Sequence, residues 1–175
     1  MKSNIALIGF MGAGKSAVAG LLAEKLNKKL VETDDLIQQR AGKSIAAIFA
    51  DDGEAAFRRI ETEVAGEVAE NQNQVIACGG GIILNSINID RLKEGAFIIY
   101  LMASPEAILK RVSTDDTIRP LLAGGDKKAT ILKLLELRLP LYQKAADIII
   151  DTSALDAAGV AEIIIDRLID YESPD

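Results

Sequence analysis

Five short segments with the character of strands recur along the chain and alternate with longer segments that have helical periodicity. They are residues 5–8, 28–33, 74–78, 97–101 and 147–151, and all are mainly apolar except the second, in which only Leu30 and Val31 are apolar. Continuous apolar runs of this length are typical of strands that are buried on both faces of a parallel sheet. The pattern therefore predicts strands that lie together in an α/β domain with a parallel sheet.

Between these strands, apolar residues return every three or four positions, as they do on the buried face of a helix. The clearest case runs from Glu54 to about Glu70, where Phe57, Ile60 and Val64 share one face. The other predicted helices cover about residues 16–26, 35–40, 45–49, 85–94, 107–112, 130–144 and 156–169. No internal repeat or linker interrupts this order, so we expect residues 1–175 to form a single domain.

The first predicted strand leads directly into the motif G-x-x-x-x-G-K-S at residues 9–16. Its glycines allow backbone N–H groups to close around phosphate oxygens without a Cβ atom in the way. The motif lysine, here Lys15, reaches the β- and γ-phosphates, and the hydroxyl of Ser16 ligates Mg²⁺. Because a helix follows, its N-terminus adds a favourable dipole at the same place. The sequence therefore predicts a site for a nucleotide with Mg²⁺.

An acidic cluster ends the second predicted strand and contains Glu32, Asp34 and Asp35. The carboxyl ends of the strands form the ligand crevice in open α/β sheets, so these carboxylates are placed to serve Mg²⁺ or a substrate hydroxyl. A structural role is equally open from the sequence, because Thr33 or Asp34 is also suited to cap the following helix.

Three consecutive glycines, Gly79, Gly80 and Gly81, follow the third predicted strand. Glycines at a strand end permit a positive φ or the close approach of the backbone to a ligand. The preceding residue, Cys78, is expected to be a small core residue.

Arg58 stands early in the helix that begins near residue 54. Its position by itself favours a solvated ion pair with a nearby glutamate.

The segment at about residues 113–127 is polar and irregular, and it contains Arg119 and the adjacent Gly124 and Gly125. This composition predicts a lid with glycine hinges that brings an arginine charge to the phosphates when it closes. A plain surface loop is the alternative. In the next helix, Pro140 is expected to end or kink the helix just after Arg138.

Composition excludes several classes of protein. The net charge of −6 argues against a nucleic-acid partner, which requires a basic face. The absence of histidine excludes Ser-His-Asp hydrolysis, and a single cysteine excludes an intrachain disulfide framework. No apolar stretch approaches the roughly 20 residues that span a bilayer. We therefore expect a cytoplasmic protein without a membrane partner.

The ordered set of motifs resembles the shikimate kinase family from Ile5 to about Asp151. The resemblance rests on these stretches: Met11-Gly12-Ala13-Gly14-Lys15-Ser16, Thr33-Asp34, Gly42-Lys43-Ser44-Ile45, Ile48-Phe49, Gly53-Glu54, Phe57-Arg58-Arg59-Ile60-Glu61, Gly79-Gly80-Gly81, Arg119-Pro120-Leu121-Leu122, Arg138 and Leu141-Tyr142. It implies a three-layer fold of the nucleoside-monophosphate-kinase type, with helices on both faces of a five-stranded parallel sheet, substrate-binding helices at about residues 34–62 and a lid. It also implies a monomer.

The resemblance further implies a reaction, in which Mg²⁺-dependent transfer of the ATP γ-phosphate to the 3-hydroxyl of shikimate serves aromatic amino acid biosynthesis. The implied catalytic residues are Asp34, Lys15 and Arg119. The implied ATP-binding residues are Gly12, Ala13, Gly14, Lys15, Ser16, Ala17, Arg111, Arg119 and Ser153. The implied shikimate-binding residues are Asp34, Arg58, Gly79, Gly80, Gly81 and Arg138, and the implied metal-binding residues are Ser16 and Glu32.

One position departs from the family pattern, because Glu32 stands where most members carry aspartate. Glutamate keeps the charge and moves it outward by one methylene group, so we expect weaker or slower use of Mg²⁺. Two alternatives remain open from the sequence. One is a kinase of the same fold for gluconate or a nucleotide, and the other is a nucleotide-binding regulatory module that has lost catalysis.

Overall fold

The computed structural model describes residues 2–172, which contain five strands separated by one to three of the eight α-helices. The strands are β1 Asn4–Ile8, β2 Lys29–Glu32, β3 Gln74–Ala77, β4 Ala96–Met102 and β5 Ile148–Asp151. The helices are α1 Lys15–Lys25, α2 Thr33–Ala41, α3 Ile45–Asp51, α4 Glu54–Glu70, α5 Ser86–Gly95, α6 Pro105–Ser113, α7 Lys127–Ala145 and α8 Ala157–Glu172. Two short 3₁₀ turns lie at Ile82–Leu84 and Pro120–Leu122.

All five strands are parallel and form one sheet in the order β2-β3-β1-β4-β5. Strand β1 is central, and its Ile5 is in register with Val75 of β3 on one side and Phe97 of β4 on the other. Strands β2 and β3 lie on one side of β1, and strands β4 and β5 lie on the other. Ligands bind at such a switch point in the strand order of open parallel sheets. The phosphate-binding motif at residues 9–16, the P-loop, begins directly after β1 and therefore lies at this switch point.

The two faces of the sheet carry separate hydrophobic cores. Helices α1 and α8 cover one face, where buried Leu22 and Ile164 pack with β-strand residues such as Leu7. Helices α4 to α7 contribute to the other core, in which Val64 and Tyr142 pack with residues such as Ile98. This is the three-layer arrangement that the resemblance implied, and it leaves the carboxyl ends of the strands open for a ligand site.

The structure decides two points about helix ends that the sequence left open. Of the two outcomes expected at Pro140, an end of the helix does not occur, since α7 continues through it to Ala145. A proline removes one hydrogen bond of a helix, and the residues Arg138 and Tyr142 on either side of it are buried in the protein interior. Neither Thr33 nor Asp34 caps α2, since both lie within the helix and its N-cap is Glu32, which makes no capping hydrogen bond with its side chain.

The predicted P-loop has the backbone that a phosphate site requires. Gly14 is the N-cap of α1 and has a φ of 92°, a left-handed conformation that residues with a Cβ atom rarely adopt. The first turn of α1 therefore faces the switch point of the sheet.

Between residues 2 and 172, no helix has the length and apolar character needed to cross a membrane.

Candidate active site

A cleft of about 660 Å³ lies at the carboxyl ends of the strands, between the P-loop, helices α2 to α4 and the segment that precedes α7. It brings together nine of the residues predicted from the sequence: Ser16, Glu32, Asp34, Arg58, Gly79, Gly80, Gly81, Arg119 and Arg138. Apolar side chains of Met11, Ile45, Phe49 and Phe57 form part of its wall. The cleft thus combines part of a phosphate loop with three arginines and four carboxylates, which are Glu32, Asp34, Asp35 and Glu61.

The P-loop lysine lies next to this cleft. The Lys15 amino group donates hydrogen bonds to the carbonyl oxygens of Gly9 and Phe10, at 2.8 and 2.9 Å. Desolvation lowers the pKa of Lys15 to about 8, although the negative charge of Asp34 opposes this shift. A bound phosphate would restore the charged form, so the lysine is arranged to respond to an anion.

The hydroxyl group of Ser16 donates a hydrogen bond to the carboxylate of Glu32, with 3.0 Å between Ser16 Oγ and Glu32 Oε2. Desolvation raises the pKa of Glu32, and the Ser16 hydrogen bond opposes this. Two hard oxygen donors this close together suit Mg²⁺, which accepts few protein ligands and completes its shell with phosphates and water. Within residues 2–172 no group of three or more Asp, Glu, His or Cys side chains is placed to hold a metal by itself.

Asp34 presents a carboxylate oxygen that the described part of the chain leaves without a hydrogen-bond partner, because Asp34 Oδ1 is buried and makes no such bond. Burial raises the pKa of Asp34, and the positive charge of Lys15 pulls it back down. A buried carboxylate with a raised pKa is a stronger base than an exposed one and is suited to accept a proton from a bound hydroxyl.

The three glycines are required for close approach and not for an unusual backbone, since none of them has a positive φ. A Cβ atom at Gly79 would lie 2.7 Å from Asp34 Oδ1, and one at Gly80 would lie 3.3 Å from the backbone nitrogen of Met11. A Cβ atom at Gly81 would collide with the Arg58 guanidinium group. The loop can therefore contact the functional side chains only because it has no side chains of its own.

Arg58 forms the ion pair with a nearby glutamate that its position favoured, but the contact with Glu61 is not a solvated one. Its Nη1 lies 2.8 Å from Oε1 of Glu61, whose side chain is only 1% exposed, and its Nη2 lies 3.3 Å from the exposed Glu54. Burial raises the pKa of Glu61, and the adjacent Arg58 charge opposes this. Glu61 also lines the cleft, and the sequence analysis did not include it among the site residues, because i,i+3 spacing indicates the ion pair but not its burial.

Arg138 comes from the middle of α7 and is only 4% exposed. Its Nη1 atom is buried and has no hydrogen-bond partner within residues 2–172. A buried guanidinium with an unused donor is costly unless a ligand completes it. Together with Arg58 it makes this part of the cleft suited to a planar carboxylate, to which arginine binds through two parallel hydrogen bonds.

Arg119 reaches the cleft from the irregular segment between α6 and α7. Its Nη2 lies 2.5 Å from Oδ2 of Asp115, whose other oxygen accepts hydrogen bonds from the backbone and hydroxyl of Thr117. These contacts lower the pKa of Asp115 to about 2. Arg119 Nε is buried without a partner in the described chain, so the arginine keeps a donor for a ligand. The lid motion itself remains a prediction.

Six other predicted nucleotide residues do not line the cleft: Gly12, Ala13, Gly14, Ala17, Arg111 and Ser153. The guanidinium of Arg111 donates to the carbonyl oxygens of Gly12 and Thr152, at 3.2 and 2.8 Å, and so connects the P-loop to the loop after β5. The Ser153 hydroxyl donates to Asp151 at 2.6 Å and accepts from a backbone N–H. The adenine-side roles of Arg111 and Ser153 therefore stay predictions.

Comparison with known proteins decides the family. The sequence model of the family described as "Shikimate kinase" matches residues 11–169. The chain belongs to the shikimate kinase family. A curated shikimate kinase from Dehalococcoides mccartyi is 45% identical over 172 residues, which cover 98% of this chain and 97% of that protein. One from Caldicellulosiruptor bescii is 44% identical over 97% of this chain and 98% of its own length.

A solved structure agrees with this assignment. The shikimate kinase from Acinetobacter baumannii, determined in complex with shikimate, is similar to this chain with a TM-score of 0.94 and 34% sequence identity. The similarity covers 99% of this chain and 97% of that one. The resemblance inferred from the motifs is thereby confirmed, as is the fold. Membership of the family makes this protein an ATP-dependent kinase.

Proposed function

We propose that this protein transfers the γ-phosphoryl group of ATP to the 3-hydroxyl group of shikimate, giving shikimate 3-phosphate and ADP for aromatic amino acid biosynthesis. The observation that carries the proposal is the composition of the cleft. Buried Arg138, whose Nη1 has no partner among residues 2–172, lines it together with Arg58, the glycine loop and the buried carboxylate of Asp34. An acceptor with a carboxylate and ring hydroxyls matches this set.

Some of these residues bind the substrate, and others take part in phosphoryl transfer. Arg58 and Arg138 bind the shikimate carboxylate, and the glycine loop offers backbone N–H groups to the substrate. Asp34 holds the attacking hydroxyl and takes its proton as the new O–P bond forms and the bond to the leaving ADP oxygen breaks. Lys15 and Arg119 neutralise the charge that develops on the transferred group.

We infer that Mg²⁺ is held by Ser16, Glu32 and the nucleotide phosphates, where it neutralises phosphate charge. The 3.0 Å separation between the Ser16 hydroxyl and the Glu32 carboxylate supports this donor pair. We also propose that the protein acts as a monomer in the cytoplasm, and the single buried cysteine is consistent with a reducing compartment.

The proposed function is tested by measuring ADP release from Mg·ATP with shikimate, gluconate, AMP or CMP, and with no acceptor. Turnover with shikimate alone supports the proposal. Turnover with gluconate or a nucleotide would preserve the phosphate-site argument and refute the assignment of Arg58 and Arg138. ATP binding without turnover on any acceptor would support the regulatory alternative.

Asp34→Asn then tests the proposed base. An amide cannot accept the proton, so kcat should fall by about 10²- to 10⁴-fold while ADP still binds. Calorimetric titration with Mg·ADP serves as the control for an intact nucleotide site. A kcat within ten-fold of that of the unmodified protein would show that Asp34 is not the base.

A further inference from the structure

We propose that Tyr142 is a positioning residue for the acceptor site. Its hydroxyl group fixes the orientation of the Gly80–Gly81 peptide, so that the Gly81 N–H points away from Tyr142. This inference rests on the proposed function, since it concerns the loop that would contact shikimate. Tyr142 itself does not line the cleft, whereas Gly80 and Gly81 do. It therefore acts through the backbone of the loop.

The Tyr142 ring is held firmly in place. Its side chain is completely buried in α7, and its ring stacks on that of Tyr100 in β4, with centroids 4.9 Å apart and planes at 13°. It also lies four residues after Arg138, so the two side chains project from the same side of the helix. One rigid face of α7 thus supplies both a carboxylate-binding arginine and the contact to the glycine loop.

The Tyr142 hydroxyl donates a hydrogen bond to the carbonyl oxygen of Gly80, at 2.5 Å. Within residues 2–172 this is the one hydrogen bond that Gly80 O accepts, whereas the carbonyl oxygens of Gly79 and Gly81 accept from the backbone of the 3₁₀ turn that follows. The orientation of the Gly80–Gly81 peptide therefore depends on a side chain from a distant part of the chain.

This contact also determines the direction in which the Gly81 N–H group points. In a planar trans peptide the C=O of one residue and the N–H of the next point in opposite directions, and the described chain has no cis peptide bond. When Tyr142 holds Gly80 O, the Gly81 N–H must point away from it. Neither the Gly80 nor the Gly81 N–H donates a hydrogen bond within residues 2–172, so both remain available to a ligand.

Such a restraint is needed because of the glycines themselves. A peptide between two glycines can rotate through conformations that a Cβ atom would forbid. Replacing either glycine would disturb the site, since a Cβ atom at Gly81 would displace the Arg58 guanidinium group and one at Gly80 would lie 3.3 Å from Met11 N. An external hydrogen bond supplies the order that the loop sequence cannot provide.

The test compares Tyr142→Phe with Tyr100→Phe. Both variants keep the stacked pair of rings, and only Tyr142→Phe removes the hydrogen bond to Gly80. We expect Tyr142→Phe to raise the KM for shikimate about ten-fold, the size of effect of one well-placed hydrogen bond, with the KM for ATP within two-fold of the original. Tyr100→Phe should leave both constants within about two-fold. Equal effects of the two variants, or a matching rise in the KM for ATP, would indicate a general loosening of the core and refute the proposal.

A second measurement does not depend on activity or on the identity of the acceptor. In ligand-free protein labelled with [¹⁵N]glycine, Gly81 should give one sharp amide signal, and Tyr142→Phe should broaden or split it while Tyr100→Phe leaves it unchanged. The Tyr142 hydroxyl also lies within reach of the Arg138 side chain, so a rise in KM alone does not distinguish an effect on the loop from an effect on the arginine, whereas the Gly81 signal reports on the loop. An unchanged Gly81 signal in Tyr142→Phe would refute the proposal even if KM rises. Failure of the intact protein to phosphorylate shikimate would instead refute the proposed function.

Discussion

Binding of Mg·ADP should take up most of a proton from solution near pH 8.5, because much of the Lys15 amino group is neutral there in the ligand-free protein. Desolvation lowers the pKa of Lys15 to about 8 from the ordinary value of 10.5. Phosphate oxygens that replace the carbonyl partners of the amino group favour its charged form and should return the pKa toward the ordinary value. The proton needed to charge the lysine must then come from the buffer.

The size of the effect follows from these two pKa values. At pH 8.5 a group with a pKa of about 8 is about one-quarter protonated, and with a pKa near 10.5 it is almost fully protonated, so uptake is about 0.75 proton. At pH 7 the same calculation gives an uptake of about 0.1 proton. By linkage, the affinity for Mg·ADP should fall about five-fold between pH 8 and pH 9.

Calorimetric titration in buffers with different ionisation enthalpies measures this uptake directly. The chain is favourable for the assay because it has no histidine, and burial raises the pKa of its single cysteine to about 12. A carboxyl group that loses a proton on Mg²⁺ binding would release that proton to the buffer, which is the opposite of the proton uptake predicted for Lys15. Uptake below about 0.2 proton at pH 8.5, with binding intact, would show that the lysine is already charged in the ligand-free site and would refute the reasoning.

Three further predictions concern single side chains. Arg58→Ala should raise the KM for shikimate at least about ten-fold because it removes a charge-assisted hydrogen-bond donor. Arg59→Ala, at a side chain that is 69% exposed, should change the KM for shikimate less than about two-fold. Equal effects of the two variants, measured from the rate at increasing shikimate concentration, would contradict the assignment of Arg58 to the carboxylate. Glu32→Asp should lower the Mg²⁺ concentration for half-maximal rate by a few-fold, and an unchanged Mg²⁺ dependence would show that the longer side chain is of no consequence. The Cys78 thiol, only 2% exposed and with its pKa raised to about 12, should not react with a disulfide reagent at pH 8 until the protein is unfolded, and rapid labelling of native protein would contradict its burial.

The features that the sequence determined by itself are local ones. A P-loop is a contiguous motif between a strand and a helix, so its place could be identified without any long-range contact. The predicted strand segments also marked the strands, and their boundaries moved by only one or two residues, as when the second strand shortened to Lys29–Glu32. The apolar runs are clearest in the three inner strands, β1, β3 and β4, because these are buried on both faces of the sheet, whereas the edge strands β2 and β5 are partly exposed.

Only the tertiary structure decided how these local elements meet. The order β2-β3-β1-β4-β5 depends on which helices cover each face, and no local pattern specifies it. The same holds for the contact between Tyr142 and Gly80, which lie 62 residues apart. The burial of Glu61 likewise depends on what packs against its helix. Sequence periodicity reports that a side chain is buried, whereas the partner it is buried against is set by the packing of the whole chain.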